Sequence, residues 1–329
     1  MIRIHFTAAD LARVRFAPRP APIQELNAAL SMMCSPADTL LYGRWRQRLL
    51  RSLPKAVQPL RDLVPGNEAP GFIDVLSDTL RDGLETERGT DREMVRTEIE
   101  RVYATAEGAY SPPPWIRDLH RGDADAWRVL MRAQHAAFAT ALGPVWPIVQ
   151  DLHQAEFTRY AVAVAERGLG AALTDAIPGS RLGDDVWEFA APRGQEIKLR
   201  GQGMVLLPTF HWTGHPLIAC APDSPLTITY PAGPGLPLSP DTVQGSPDAL
   251  ASVLGRTRAD LLLMLDREHT TGDLARRLGV GSATVSEHTA ALRGAGLITT
   301  VRAGRAVLHR RTALGSLLIR RHSADRTSA

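Results

Sequence analysis

Residues 248–329 carry secondary-structure signals in an order that few folds use. Apolar residues at helical spacing indicate a first helix over 250–265, a short helix over 272–279 and another over 282–294. Thr271 can cap the short helix, and Val280 and Gly281 would form the turn after it. Two β-like runs, LITTVRAG and RAVLHRR, meet at Gly304, and a leucine-rich run over 314–319 follows. This order predicts a winged helix-turn-helix, which lays one helix in the DNA major groove and a hairpin along the backbone.

The predicted helix over 282–294 has two chemically different faces. Val285, His288 or Thr289, and Leu292 form an apolar inner stripe. Small and hydrogen-bonding residues occupy the outer face, and at a helix N-terminus they suit close approach to base edges and phosphates. Glu287 on this face can accept a hydrogen bond from a cytosine amino group.

The predicted wing adds arginines around its tip. Arg302 and Arg305 flank Gly304, where they are well placed for phosphate or minor-groove contact. Arg310 and Arg311 follow, but adjacent strand residues face opposite sides, so one of them is expected to be merely solvated. The candidate DNA-binding residues are therefore Ser282, Ala283, Thr284, Ser286, Glu287, His288, Arg293, Arg302 and Arg305.

Charge is unevenly distributed along the chain. Residues 248–329 contain 13 Arg against 7 Asp and Glu, a net charge of +6, whereas the whole chain carries +3. Residues 1–247 therefore carry −3 by subtraction. A basic segment attached to an acidic body is typical of nucleic-acid binding, although a solvated basic surface without a partner is the alternative.

Taken together, these C-terminal motifs resemble the ArsR-type winged-helix regulators. The resemblance covers residues 254–321 through GRTRADLLLML, LARRLGV, SATVSEHTAALRGAGLI and VRAGRAVLHR. It implies a homodimer, built by the leucine-rich first and last helices, that presents two reading helices to a near-palindromic site of double-stranded DNA. The chain departs from the family at Glu287 and Thr289, where a His and a Leu are common, so operator preference should differ. Its short helix has no Cys pair, which argues against a thiolate sensor of arsenite or zinc.

The region before residue 233 predicts an accessory domain of mixed structure. Helices are expected from Thr7 to Phe16 and over 23–33, 37–53, 90–110, 124–142 and 145–169. From Ile177 the pattern becomes short, β-branched and punctuated by Gly and Pro, which predicts an antiparallel meander of three to five strands. The overall expectation is an α+β chain with a domain over 1–232, a linker over 233–247 and a winged helix over 248–329.

This accessory region also resembles the long N-terminal domain, of unknown function, that some actinobacterial ArsR-like regulators carry. The resemblance is looser and depends on Gly201, Gly203, Pro208, Tyr230 and Pro231. It implies a regulator with a fused accessory domain, but it names no ligand. If the protein responds to a small-molecule effector, this domain is where the effector is expected to bind.

Several other classes of site are disfavoured. The only cysteines, Cys34 and Cys220, are far apart, which argues against a disulfide scaffold or a Cys-rich zinc site. His211 and His215 have a spacing that binds metal on a helix, but Gly214 and Pro216 indicate a turn, so we expect packing or loop hydrogen bonds. The six Trp residues all precede the winged helix, and core packing is favoured over a ligand pocket for each.

No nucleophile elbow, Walker motif or zincin motif is present, so no enzyme activity, metal or cofactor is expected. The longest apolar run, near 161–172, is interrupted by Glu166 and Arg167, and MIRIHF is too short and polar for a signal peptide. We therefore expect a soluble, cytoplasmic transcription regulator without membrane contact. The alternatives are a winged helix used for protein interaction, or one that tethers an N-terminal ligand-binding or catalytic domain to DNA.

Overall fold

The computed structural model describes residues 1–65, 68–105, 111–220, 224–232, 237, 249–304, 306–312, 314–316, 318 and 319. Contacts within the chain divide it into two units, Met1–Ser239 and Pro240–Ala329. Apart from residue 237, the linker expected over 233–247 lies outside the described residues. Both units combine helices with small sheets, which confirms the predicted α+β class.

The first unit is mainly helical. Its helices are α1 (Ala8–Leu11), α2 (Pro22–Cys34), α3 (Thr39–Ser52), α4 (Pro59–Leu63), α5 (Leu80–Arg88), α6 (Arg92–Thr105), α7 (Pro114–His120), α8 (Ala124–Ala141), α9 (Trp146–Arg167) and α10 (Leu169–Ala176). Single 3-10 turns lie at Lys55–Val57, Gly71–Ile73 and Gly143–Val145. The helices predicted over 23–33, 37–53, 124–142 and 145–169 are confirmed as α2, α3, α8 and α9. The helix predicted over 90–110 is confirmed as α6 up to Thr105, beyond which residues 106–110 lie outside the described residues.

The helix predicted from Thr7 to Phe16 is correct at its start and wrong at its end. The Thr7 hydroxyl accepts a hydrogen bond from the Asp10 amide at 3.2 Å, and the Asp10 carboxylate accepts one from the Thr7 amide at 2.8 Å, which together form a capping box. The helix nevertheless ends at Leu11, and Val14–Phe16 forms a strand. The β-branched and aromatic residues of that segment pair with a distant strand, a partner that local spacing cannot reveal.

In the described part of the first unit, eight strands accompany the helices. They are β1 (Ile2–His5), β2 (Val14–Phe16), β3 (Arg181–Leu182), β4 (Val186–Phe189), β5 (Gln195–Lys198), β6 (Met204–Thr209), β7 (Leu217–Ala219) and β8 (Leu226–Pro231). They form two four-stranded sheets with the orders β3-β4-β1-β5 and β2-β6-β8-β7. Strand pairs β1·β5, β2·β6 and β6·β8 are parallel.

The expected antiparallel meander is therefore wrong. The strands after Ile177 are divided between two mixed sheets, and each sheet incorporates one strand from the N-terminus. Strand β1 lies between β4 and β5, while β2 forms an edge beside β6. One hydrophobic core collects side chains from both sheets, among them Ile4, Trp187, Leu206 and Ile228.

The second unit contains α11 (Ala249–Leu254), α12 (Arg256–Met264), β9 (His269–Thr270), α13 (Thr271–Leu278), α14 (Ser282–Gly294), β10 (Ile298–Ala303) and β11 (Ala306–Arg311). Residues 314–316 and 318–319 are also helical. The single helix predicted over 250–265 is instead two helices, because Gly255 takes a φ of +83° that no α-helix contains. The wing sheet has the order β10-β11-β9, and its third strand, β9, was not predicted.

Two glycines before β6 illustrate different demands on the backbone. Gly203 has a φ of +76°, and its amide donates a hydrogen bond to Asp10 Oδ1 at 2.9 Å. A Cβ added there would lie 2.5 Å from Arg13 Cβ and 2.8 Å from the Arg13 carbonyl oxygen. Gly201 has a φ of +90°, but its missing Cβ would meet no heavy atom within 4 Å.

We predict that Gly203→Ala destabilises the first unit more than Gly201→Ala does. Both changes force a residue with a Cβ into a left-handed conformation, at a cost of about 1–2 kcal/mol. Only Gly203→Ala adds a steric clash against the Arg13 backbone, with a further cost of roughly 1–3 kcal/mol. Urea unfolding followed by Trp fluorescence measures this directly, because all six Trp residues belong to the first unit. Equal destabilisation by the two variants would contradict the packing argument.

Candidate nucleic-acid interface

Helices α13 and α14 are the two helices of the predicted helix-turn-helix. The cap of α13 is Thr270 rather than the predicted Thr271, since the Thr270 hydroxyl accepts a hydrogen bond from the Asp273 amide at 3.1 Å. Thr271 is the first helical residue, and its hydroxyl lies 2.9 Å from His309 Nε2. Sequence alone could not separate two adjacent threonines, because both have the chemistry of an N-cap.

A tight turn joins the two helices. Gly279 ends α13 with a left-handed φ of +67°, and the Val280 amide donates to the Ala275 carbonyl at 3.1 Å. Gly281 is the N-cap of α14 and offers no side chain to its first-turn amides. These amides and the positive end of the helix dipole form a local environment that suits a phosphate group.

Burial fixes which face of α14 is free. Val285, Thr289 and Leu292 are buried, with Val285 and Leu292 in a core that includes Leu274 and Leu297. The Thr289 hydroxyl donates to the Val285 carbonyl at 2.8 Å, so this polar side chain is satisfied inside its own helix. The sequence left His288 and Thr289 as alternatives for the inner stripe, and the structure buries Thr289 and half-buries His288.

The remaining candidates on α14 share one exposed face. It carries Ser282, Ala283, Thr284, Ser286, Glu287, Ala290 and Arg293. The structure thus brings together every α14 residue proposed from the sequence, with His288 at the margin. Their contacts with DNA stay a prediction.

The wing is a regular antiparallel hairpin. Thr299 pairs with Arg310 and Arg302 pairs with Val307, and Gly304 after β10 has a φ of +62°. Arg302 is exposed. Arg305, the other proposed tip residue, lies outside the described residues.

The uncertainty between Arg310 and Arg311 is settled by their environments. Arg311 turns inward, where its Nε donates to the Leu265 carbonyl at 2.7 Å and so joins the wing to the end of α12. Arg310 is exposed and extends the basic surface of the wing. Arg310 is therefore a further candidate for phosphate contact.

His309 connects the wing to the helix-turn-helix. The ring is buried, with Nε2 facing the Thr271 hydroxyl on α13 and Nδ1 lying 3.1 Å from the Thr300 hydroxyl on β10. Burial lowers the pKa of His309, and the positive charge of Arg293 lowers it further. The His309 ring on β11 therefore links the start of α13 to strand β10 of the wing. Local sequence patterns do not reveal this junction, because the two partners of His309 are 38 and 9 residues away.

The first unit offers no comparable site at the residues weighed from the sequence. His211 is buried, with Nδ1 2.6 Å from a Glu25 carboxylate oxygen that also accepts the Phe210 amide at 2.9 Å. His215 is exposed, so the two histidines face different environments. Among the described residues, no group of three or more His, Cys, Asp or Glu side chains could hold a metal ion. Cys34 and Cys220 are exposed and form no disulfide.

The fold and site define the second unit as a winged helix-turn-helix domain. A family model described as a helix-turn-helix domain matches residues 254–301, which span α12, the helix-turn-helix and most of β10. No curated protein and no solved structure matches the chain. The chain thus carries a DNA-binding helix-turn-helix domain of the kind that serves transcription regulation. Within the described residues, no helix is both long and apolar enough to cross a membrane.

We predict that acidification loosens the winged helix through His309. Its pKa in the folded protein lies below the unfolded value of about 6.5, so the unfolded chain binds a proton more readily. The free energy of unfolding should therefore fall as pH drops below about 7, and should level off once pH is below the folded pKa.

Hydrogen exchange of α13 and α14 amides, corrected for its intrinsic pH dependence, measures this effect. His309→Gln removes the titrating group and retains two polar atoms, so the variant should lose much of the pH dependence. An unchanged pH profile in this variant would show that another group is responsible.

Proposed function

We propose that this protein is a transcription regulator of the ArsR-like winged-helix type that acts in the cytoplasm and is not an enzyme. It would bind a near-palindromic operator as a homodimer, through α14 and the wing formed by β10 and β11. The observation that carries this proposal is the free face of α14. Small and polar residues lie on that face, and its N-terminus has no side-chain cap.

The electrostatics of the second unit support DNA as the ligand. Exposed Arg293, Arg302 and Arg310 extend from the end of the reading helix to the wing. Guanidinium groups bind phosphate oxygens in two-point contacts, and such contacts position a protein on the duplex. The exposed Glu287 carboxylate would accept from a cytosine amino group and reject bases that offer only acceptors at that position.

A two-fold dimer would account for exposed apolar side chains on the second unit. Val253 on α11 is 83% exposed and Leu314 is 40% exposed. Burying such side chains against a second copy removes apolar area from water, which favours association. The proposed dimer presents two copies of α14 separated by roughly one helical turn of DNA, about 34–36 Å.

Two rival functions stay open to experiment. A winged helix used for protein contact would not require arginines at the wing for binding. A catalytic first unit tethered to DNA would require a cluster of reactive side chains in a cleft.

For the first unit we propose a regulatory role, in which a bound effector or partner shifts the two reading helices. The size of the first unit motivates this role.

Footprinting of the purified protein on its own upstream DNA, at two salt concentrations, tests the central proposal. A protected inverted repeat that weakens with salt is the expected result, because phosphate contacts release counterions. Uniform coating of the fragment, or no protection there and no enriched sequence in a genome-wide selection of bound fragments, would contradict an operator-specific regulator.

We predict different effects from Arg302→Gln and Glu287→Gln. Arg302→Gln should weaken binding similarly on all sequences and reduce the salt dependence by about one phosphate contact. Glu287→Gln should instead change the preferred base at one position of each half-site, with an effect of about 1–3 kcal/mol. Fluorescence anisotropy on operator and single-base variants measures both effects.

The matched control for these variants is Arg81→Gln, which removes an ion-paired arginine on α5 of the first unit. Loss of DNA binding in the control as well would point to net charge rather than to the wing. If Arg302→Gln combined with Arg305→Gln leaves salt-dependent binding intact, the protein-interaction alternative gains support.

We also predict that Val253→Glu disrupts the dimer. A carboxylate at this 83% exposed position would be desolvated in an apolar interface, which opposes association. Sedimentation velocity should show a shift toward monomer and a loss of cooperative operator binding. Val162→Glu, at an exposed site on α9, is the control and should leave the oligomeric state unchanged.

A further inference from the structure

One carboxyl group of the first unit is buried beside an amide rather than a cation. Glu87 lies near the end of α5 and is 0% exposed. Its hydrogen-bond partner is Gln134 on α8, whose Nε2 lies 3.0 and 2.8 Å from the two carboxyl oxygens. Gln134 is buried too, and among the described residues nothing donates to its Oε1. The pair thus contains a buried acceptor without a donor, which native structures generally avoid.

The helices packed against α5, which are α2 and α8, supply no buried cation for a carboxylate at this position. The only charged residue of α2 is Glu25, which is bonded to His211 and to the Phe210 amide. Asp74, in the segment before α5, acts on Glu87 electrostatically, and its negative charge opposes ionisation. The other charged or titratable residues of α8 and α5 are exposed, namely Asp125, Arg128, Arg132 and His135 on α8, and Arg81, Asp82, Glu85 and Arg88 on α5.

A neutral carboxylic acid suits this environment better than a carboxylate does. Burial dominates and brings the pKa of Glu87 up to about 8, while the Gln134 hydrogen bond lowers the pKa and the charge of Asp74 raises it. A protonated carboxyl group has one O–H to donate, and Gln134 Oε1 is the acceptor that lacks a donor. Once the amide turns about its Cγ–Cδ bond, acid and amide can bond at two points, with O–H donating to Oε1 and Nε2–H donating to the carboxyl carbonyl.

The attachment of α5 depends strongly on this pair. Of the nine residues of α5, only Gly83, Leu84 and Glu87 are buried. Gly83 allows close approach to α2, since a Cβ there would lie 2.7 Å from Ile23 Cγ1. Leu84 is therefore the one large apolar side chain that α5 buries. Ionisation of Glu87 would put a charge among these few contacts and would remove the O–H that bonds to Gln134, which weakens the contact between α5 and α8.

We propose that the Glu87 carboxyl group on α5 and the Gln134 amide on α8 form a pH-sensitive switch, in which the protonated acid holds α5 against α8 and loss of the proton releases α5. The proton passes to solvent, and the carboxylate becomes hydrated as the helix moves away. The inference goes beyond the proposed function, because the switch lies within the first unit and needs no DNA. It would make the proton itself a ligand of this unit.

The sign of the pH dependence follows from the direction of the shift. The pKa of Glu87 in the folded protein lies above its ordinary value of 4.5, so the folded chain retains the proton to higher pH. The free energy of unfolding should therefore fall as pH rises from about 4.5 to about 8, and should level off above that range. This sign is opposite to the one expected for His309 in the second unit.

Infrared difference spectroscopy of the full-length protein detects the proton on Glu87. At about pH 6 the wild-type protein should show the carbonyl stretch of a buried carboxylic acid that Glu87→Gln lacks. The band should disappear between about pH 7 and 9, above the range in which Asp74, with a pKa of about 6, titrates. The control is Glu85→Gln, which removes an exposed, ion-paired glutamate from the same helix and should retain the band.

The same variants measure the effect on α5. Glu87→Gln keeps the size of the side chain and can bond to Gln134 at two points, but it cannot ionise. Urea unfolding followed by Trp fluorescence should give a ratio of wild-type to Glu87→Gln unfolding constants that rises about tenfold per pH unit between about pH 6 and 8. Hydrogen exchange of α5 amides, corrected for its intrinsic pH dependence, should accelerate over this range in the wild type and in Glu85→Gln, but not in Glu87→Gln.

Absence of the carboxylic acid band at about pH 6, or its persistence above about pH 9, would overturn the inference. Equal pH dependence of α5 exchange in the wild type and Glu87→Gln would overturn it as well. If Glu87→Gln does not fold, the titration of the wild-type band decides the question by itself. None of these measurements involves DNA, so their failure leaves the proposed function untouched, and a winged helix that binds no operator leaves them unaffected.

Discussion

The burial of Val285, Thr289 and Leu292 is the constraint on which the function of the second unit depends. These side chains pin α14 to the winged-helix core, and Leu274 of α13 lies in the same core. Because one face of α14 is packed against the core, only the residues of its opposite, exposed face can approach DNA. Thr289 is polar but can lie on the buried face, because its hydroxyl donates a hydrogen bond to the Val285 carbonyl of its own helix.

Around that core, polar contacts set the positions of neighbouring elements. Arg311 ties the end of β11 to the end of α12, while His309 joins both the start of α13 and β10. The wing is thus attached to the helix-turn-helix by hydrogen bonds as well as by the sheet. The stability of this junction should depend on pH, because burial and the charge of Arg293 lower the pKa of His309 and so disfavour its protonated form.

The first unit depends on contacts between the two ends of its sequence. Strands β1 and β2 complete sheets whose other members follow Arg181, and the Asp10 carboxylate accepts the Gly203 amide across 193 residues. Burial would raise the pKa of Asp10, but hydrogen bonds from Thr7, Gly203 and Gly201 outweigh it and lower the pKa. The buried Glu25–His211 pair similarly joins α2 to the segment after β6. These long-range contacts join the start of the chain to the strands that follow Arg181.

The sequence by itself determined the features whose cause is local. Apolar spacing placed α2, α3, α6, α8, α9, α13 and α14, and Gly304 placed the wing tip, because a helix face or a turn depends on residues a few positions apart. Tertiary structure alone decided the mixed strand order, the break at Gly255, the choice of Thr270 as cap, and the pairing of His211 with Glu25. It also separated Arg311, which bonds inward, from Arg310, which is exposed. The strand order and the bonds of His211 and Arg311 depend on partners that are distant in sequence, and a one-dimensional pattern holds no information about which distant residues meet.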